Sequence, residues 1–388
     1  MTAPGTTCVA CSGDAVFPIL TIDRSPVLCN QLCHTRDEAL AAPVAAIDLA
    51  HCRSCGHVFN AAFDPGRIEY GPDYENALHF SPRFRAYSAE LVEQLGKRHE
   101  LEARNVIEIG CGDGSFLREL CTATGAHGHG FDPGYSGAPN VADHVHCSSE
   151  SFFDSRDVPD AALVCCRHVL EHVEQPRGFM ATIAGNLGAG TALYLEVPNA
   201  LYTLRDLGIW DIIYEHPSYF CVESLRQVVS AAGFAELDAH EAFGGQFLGL
   251  HAKLDGATAS EQPPQAFLAE VSELVANFAS AYRSKVDQLK SMLATARSAD
   301  RRVAVWGAGS KGSTFLNVVD ADAAVACVVD VNPSKRGKFV AGTGHPIVAP
   351  DDLRDEPVDF VVLMNPIYED EVRANLQTVC PGATLELA

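Results

Sequence analysis

The chain has 388 residues, 47% of them hydrophobic and 20% charged, enough to bury a large core and to build two or three domains. A formal net charge of −22 excludes a general affinity for nucleic acid or anionic membrane, since both demand a basic surface. The start, Met1-Thr2-Ala3-Pro4-Gly5, has no basic stretch leading into an apolar one, and no apolar run is as long as a membrane span, so a cytoplasmic protein is expected.

Fourteen cysteines in a reducing compartment read as metal ligands plus small core residues. Cys8-Val9-Ala10-Cys11 and Cys52-Arg53-Ser54-Cys55 form two CxxC knuckles. Each puts two thiolates on one tight turn, and two such turns complete the tetrahedral set that Zn²⁺ prefers. Four protein ligands leave no open position, so the expected role is structural. Cys29 and Cys33, in a looser CxxxC spacing, are left out of the set. A zinc-binding module over 1–68 follows.

Residues 68–76 are rich in aromatics and turn formers, and Tyr70 and Tyr74 are read either as a lid reaching over an active site or as loop packing. Pro82 to about His99 carries Phe84, Tyr87, Leu91 and Leu95 at helical spacing. From Asn105 to Ala252 short apolar strands alternate with helices, as in a doubly wound α/β sheet. Its first strand runs into Glu108-Ile109-Gly110-Cys111-Gly112-Asp113-Gly114, where Gly110, Gly112 and Gly114 permit a tight turn under a helix N-terminus. A dinucleotide fingerprint would want a glycine at 115, and Ser115 stands there. Asp132, at the tip of the next strand, is placed to accept both hydroxyls of a ribose.

The fourth strand, Ala161–Cys166, opens into Arg167-His168-Val169-Leu170-Glu171-His172-Val173. Further on, Tyr214, Glu215 and His216 form the densest cluster of catalytic residue types, a sound recipe for a tuned general base. Gly244-Gly245 interrupts an apolar β pattern where another backbone or a ligand comes close.

Residues 255–264 read as a linker, and Phe267–Ala296 as one amphipathic helix within a 255–300 segment. The last lobe, 301–388, opens with Val303-Ala304-Val305-Trp306-Gly307-Ala308-Gly309-Ser310-Lys311-Gly312, a full GxGxxG after a strand. That pattern supports a rival reading, an NAD(P)-dependent oxidoreductase. The lobe of under ninety residues is short for a complete nucleotide fold, so it is expected to be a half-Rossmann lobe in which Gly309, Lys311 and Asn365 grip a diphosphate belonging to the substrate.

The Glu-x-Gly-x-Gly-x-Gly loop resembles the S-adenosylmethionine (SAM) loop of class I methyltransferases. That likeness implies a Rossmann-like methyltransferase domain over 69–254. In it Glu108 helps hold the ammonium end of the cofactor, and the loop after the fourth strand, with His168, faces the methyl donor. The order of zinc knuckles, SAM fold and GAGSKG lobe resembles the bacterial deoxysugar C-methyltransferases that act on nucleotide-linked keto sugars. In that family an acid–histidine pair like Glu215-His216 follows a tyrosine-rich loop, a histidine matches His172, and a glycine pair matches Gly244-Gly245. Ile213 stands here where relatives carry a tyrosine, and Arg167, His168 and Glu171 make the strand-four loop more charged than theirs.

The expectation is therefore a SAM-dependent methyltransferase with a structural Zn²⁺, acting on a small molecule, with a nucleotide sugar as the expected acceptor. His216 is the expected base, Glu215 its orienting partner or a proton acceptor, and Tyr214 or His172 the donor to the enolate oxygen. Tyr70, Tyr74, Gly244 and Gly245 are expected at the substrate. O- or N-methylation of another small molecule is the alternative within the same enzyme class.

Overall fold

A computed structural model describes residues 6–71, 73–152, 160–256, 262–319 and 324–388. The start at 1–5 and residues 257–261 of the expected linker lie outside the described residues, as does Pro72 in the tyrosine segment.

The N-terminal strands β1 (Val16–Pro26), β2 (Leu32–Cys33), β3 (Val44–Cys52) and β4 (Val58–Asn60) surround one short helix, α1 (Arg36–Ala41). The knuckle between β3 and β4 turns on Gly56, whose φ of 78° lies in the left-handed region. It brings Cys55 Sγ to 3.7 Å from Cys8 Sγ, and Cys52 Sγ to 3.6 Å from Cys11 Sγ.

Next come α2 (Pro82–His99), β5 (Asn105–Ile109), α3 (Ser115–Thr124), β6 (His127–Phe131), β7 (Asn140–Ala142), β8 (Val145–Ser148) and β9 (Leu163–Arg167). The run continues through α4 (Pro176–Gly185), β10 (Ala192–Pro198), α5 (Ala200–Arg205), β11 (Ser218–Tyr219), α6 (Val222–Ala231), β12 (Phe234–Ala242) and β13 (Phe247–Leu254). Eight of these strands form one sheet in the order β12-β13-β10-β9-β5-β6-β8-β7. β5, β6, β8, β9 and β10 run parallel, while β13 is antiparallel to β10. Val106 and Ile107 of β5 are both fully buried, as expected of a central parallel strand covered on both faces. The order reverses at β5, where neighbours β6 and β9 diverge, and open α/β sheets bind ligands at such a point.

β11 does not join that sheet. It pairs antiparallel with β4, Ser218 opposite Phe59 and Tyr219 opposite Val58, completing a four-stranded sheet β1-β3-β4-β11. The N-terminal module therefore extends past residue 68 by borrowing a strand from the methyltransferase-like region.

α7 (Gln265–Ser298) buries Val271, Phe278, Tyr282, Val286, Leu289 and Leu293 in the core shared by β1, α5 and the last lobe, so its apolar stripe is core packing. That lobe holds β14 (Val303–Trp306), α8 (Ser310–Val319), β15 (Val325–Val329), β16 (Phe339–Val340), β17 (Ile347–Val348), β18 (Phe360–Leu363), α9 (Glu369–Val379) and β19 (Thr384–Leu387). Its sheet, β17-β15-β14-β18-β19, is parallel throughout. With strands on both sides of β14 it has two more than the three of a half-Rossmann unit. β16 leaves this sheet and pairs with β2, tying the lobe to the N-terminal module. Among the described residues no helix is long and apolar enough to cross a membrane.

The tightest approach in the lobe lies at its glycine loop. A Cβ on Gly312 would stand 1.9 Å from the Gly307 carbonyl oxygen, which backbone cannot yield. Gly312→Ala is expected to destabilise the protein by about 2 kcal/mol or more. Gly185→Ala, where the added atom meets nothing, should be neutral. Urea midpoints of the two variants check the contrast, and equal midpoints would refute it.

Candidate active site

Two half-sites meet at the carboxyl ends of β5 and β9. On the first, Gly110, Gly112 and Gly114 all take positive φ, at 73°, 55° and 77°. A Cβ on Gly110 would lie 2.1 Å from Val169, whereas one on Gly112 would meet nothing, so the loop is packed on one side and open on the other. Glycine at 114 leaves α3 without a side-chain cap. Glu108 replaces it from below, accepting the Leu117 N–H, and its Oε2 has no partner. Burial raises the Glu108 pKa to about 8, against the pull of Arg167. Asp132 accepts the Gly112 amide at 2.8 Å through one oxygen and the Gly134 amide at 2.8 Å through the other. An open glycine cradle, an unpartnered buried carboxylate oxygen and a strand-tip acid fit the methionine and ribose parts of SAM.

The expectation for His168 is corrected. Its Nε2 lies 3.0 Å from Glu196 and its Nδ1 3.6 Å from Glu171, both fully buried carboxylates. Burial lowers its pKa, but the two acids outweigh burial and raise it to about 9. The imidazolium is thus spent on internal pairing. Glu196 also accepts from Arg167 at 3.0 and 3.1 Å, from Tyr194 at 2.9 Å and from Tyr87. Arg167 and His168 hold Glu196 ionised although it is fully buried. This hub escaped sequence reading because Glu196 sits in the otherwise apolar run 192–197 and its partners are spread over several elements.

On the second half-site, the turn before β11 presents Glu215 and His216. His216 is buried, donates to the Asp211 carbonyl and leaves Nδ1 without a partner. Burial, then the nearby His172, His168 and Lys311, hold its pKa well below the usual value, so the ring is neutral. His172 meets it edge-on at 4.6 Å between ring centres. The Nδ1 of His172 lies 3.1 Å from the Glu215 carbonyl and 3.2 Å from the Tyr70 hydroxyl. Tyr74 donates to Glu215 at 2.5 Å, and the two tyrosine rings meet edge-on at 4.8 Å. Tyr70 and Tyr74 therefore reach this cluster together.

Several expected roles change. Tyr214 is fully buried and its hydroxyl accepts the Asp64 amide at 3.0 Å, so it faces the N-terminal module and is no donor to the site. Glu215 does not orient His216: its carboxylate takes the Cys29 amide at 2.5 Å, the Asn30 amide and Tyr74, and burial raises its pKa. Lys311 is ion-paired with Asp211 rather than free for a diphosphate. Asn365 spends its amide on Gln246, at 2.8 and 3.0 Å, and fastens the lobe to the β12–β13 hairpin. Gly244 and Gly245 turn that hairpin, and the close neighbour of Gly244 is Ile367 of the lobe. Gly309 begins the N-terminus of α8 beside Asn30, whose Oδ1 would be 3.8 Å from an added Cβ.

The strand-tip acid of the rival dinucleotide loop is already paired. Asp330 accepts the Ala308 amide at 2.7 Å, but Lys335, 4% exposed, lies 3.5 Å from Asp330 and 3.3 Å from the Ala308 carbonyl. Lys335 stands only 5 places past Asp330, yet no spacing rule marks a lysine there as the partner of that acid.

Residues 80–239 match the family model of a methyltransferase domain, and residues 252–384 match that of a C-methyltransferase C-terminal domain. No curated protein matches the chain. Similar solved structures include the complex between the Haloferax volcanii Trm112 methyltransferase activator and a methyltransferase (16% identity, 44% of this chain and 97% of that one, TM-score 0.34). Another is the Burkholderia thailandensis 1,6-didemethyltoxoflavin-N1-methyltransferase (16%, 45% and 79%, 0.35). A third is magnesium protoporphyrin IX methyltransferase from Synechocystis PCC 6803 (18%, 44% and 83%, 0.36). With the class I sheet order, the glycine cradle and these two matched domains together, the chain is a SAM-dependent methyltransferase.

Proposed function

We propose that the enzyme C-methylates a nucleotide-linked keto-deoxysugar through a base-generated enolate. The observation that carries this reading is His216: a buried, neutral imidazole with an unpartnered Nδ1, edge-on to His172, whose own Nδ1 lies beside the Tyr70 hydroxyl. The match of 252–384 to a C-methyltransferase C-terminal domain supports carbon as the acceptor.

SAM supplies an electrophilic methyl group, with Gly110, Gly112, Gly114, Asp132 and Glu108 as its holders. His216 Nδ1 takes the proton from the carbon beside the ketone, and the electron pair of that C–H bond passes into the enolate. A low pKa keeps His216 unprotonated but makes it a weak base, so the enolate oxygen needs donors. Tyr70 and His172 are the groups at hand. Glu215 positions Tyr74 and the 29–30 loop against the substrate. The α8 N-terminus at Gly309 is the anion-binding end offered to the diphosphate.

The cluster of Cys8, Cys11, Cys52 and Cys55 is assigned to a structural Zn²⁺. Its Sγ separations of 3.6 and 3.7 Å suit the roughly 3.8 Å edge of a tetrahedron with Zn–S of about 2.3 Å. Free cysteines throughout the chain fit a cytoplasmic setting.

His216→Asn should slow both solvent deuterium exchange at the reacting carbon and methylation by about 10²–10⁴-fold, with S-adenosylhomocysteine binding retained. Tyr214→Phe should keep most activity. Exchange at the full rate in the first variant, or a new methyl found on oxygen or nitrogen by NMR, would overturn the reading. Asp132→Ala should weaken S-adenosylhomocysteine binding about tenfold, since a lost charge-assisted bond costs about 1.5–3 kcal/mol; calorimetry with an unchanged constant would exclude Asp132. Stripping the metal from the four-cysteine cluster with a strong chelator should lower the melting temperature and abolish activity together, because structural zinc binding is folding free energy. Full activity in metal-free protein would remove zinc from the account.

A further inference from the structure

Three histidines outside the active site converge at the far edge of the large sheet. β12 and β13 pair with Asp238 opposite His251 and His240 opposite Gly249. Residues 238 and 240 share one face of β12 by the two-residue period, and His251 stands beside them on β13. Gly249 makes room for the group. A Cβ there would lie 2.6 Å from His240 Nε2, so glycine is what lets that ring fold down towards His251. The two rings stack at 5.7 Å and 22°, and one donor atom from each of Asp238, His240 and His251 falls within 4.8 Å of the others. His99, the last residue of α2, brings its ring to 5.8 Å from His251.

The group has spare donor atoms. His251 is 3% exposed, yet its Nδ1 has no hydrogen-bond partner, and the buried Nε2 of His99 has none either. Asp238 is exposed, 3.5 Å from Arg98 and 3.5 Å from His240, so it can turn to an ion arriving from solvent.

We propose that Asp238, His240 and His251, with His99 in reach as a fourth ligand, form a second metal site for a borderline divalent cation such as Zn²⁺ or Ni²⁺. Imidazole-rich sets with one carboxylate select such ions over Mg²⁺ or Ca²⁺, which require oxygen shells. An ion there would join the end of α2 to the sheet edge. The site stands apart from the four-cysteine cluster and does not rest on the identity of the methyl acceptor.

The test uses the full chain with its four-cysteine site loaded with zinc. Calorimetric titration with Ni²⁺ alone should show one further ion per chain. Asp238→Asn and His240→Asn, both at solvent-accessible positions, should each weaken it by about tenfold or more, and His251→Ala should abolish it. Co²⁺ in place of Ni²⁺ should give ligand-field bands without a thiolate charge-transfer band. Absence of a further ion, affinities unchanged within about twofold in both accessible variants, or a thiolate spectrum would each overturn the proposal.

Discussion

The pairing of two residues, Ser218 and Tyr219, with β4 is the constraint on which the active site depends. His216 and Glu215 lie on the turn that leads into this pair. The β4 side is held in turn by the knuckle at Cys52 and Cys55 and by Cys221, whose thiol contacts the Gly56 carbonyl at 3.6 Å. A rigid N-terminal module therefore does at a distance what a second layer of side chains does in smaller enzymes. It fixes the turn at 215–216 from behind, while loop 29–30, held by Glu215, fixes it from the front.

The two Rossmann-like lobes share one local device. In each, an acid at the tip of the second strand accepts one amide from the glycine loop and one from two residues further on: Asp132 with Gly112 and Gly134, Asp330 with Ala308 and Asn332. The device sets the loop before any ligand arrives. Its use depends on the space above the loop. In the first lobe that space, over Gly112, is open, whereas in the second the acid is ion-paired with Lys335. The same geometry thus leaves the acid without a cation in one lobe and pairs it with a lysine in the other.

Features determined by local stereochemistry were legible in the sequence. The glycine loops, the CxxC knuckles and the helix at 82–99 follow from φ requirements, ligand spacing and periodicity, each contained within a few residues. Roles that depend on which way a turn faces were not. Tyr214, Glu215 and His216 are consecutive, yet their side chains go to Asp64, to loop 29–30 and to His172, because the pairing with β4 decides the facing from far along the chain. Lys311 and Asn365 have partners in other domains, Asp211 and Gln246, which no local pattern announces. Glu196 lay hidden in an apolar run because the charges that pair with it, Arg167 and His168, stand far back in the chain.

The clasp between β2 and β16 has a consequence for synthesis. Leu32 pairs with Val340, so 308 residues (340 − 32) separate the partners. At about 5–20 residues per second the first partner waits roughly 15–60 s for the second to be made. The cysteine knuckles, by contrast, are complete once residue 55 has emerged. A nascent chain thus carries these four thiols long before the sheets that shelter them exist.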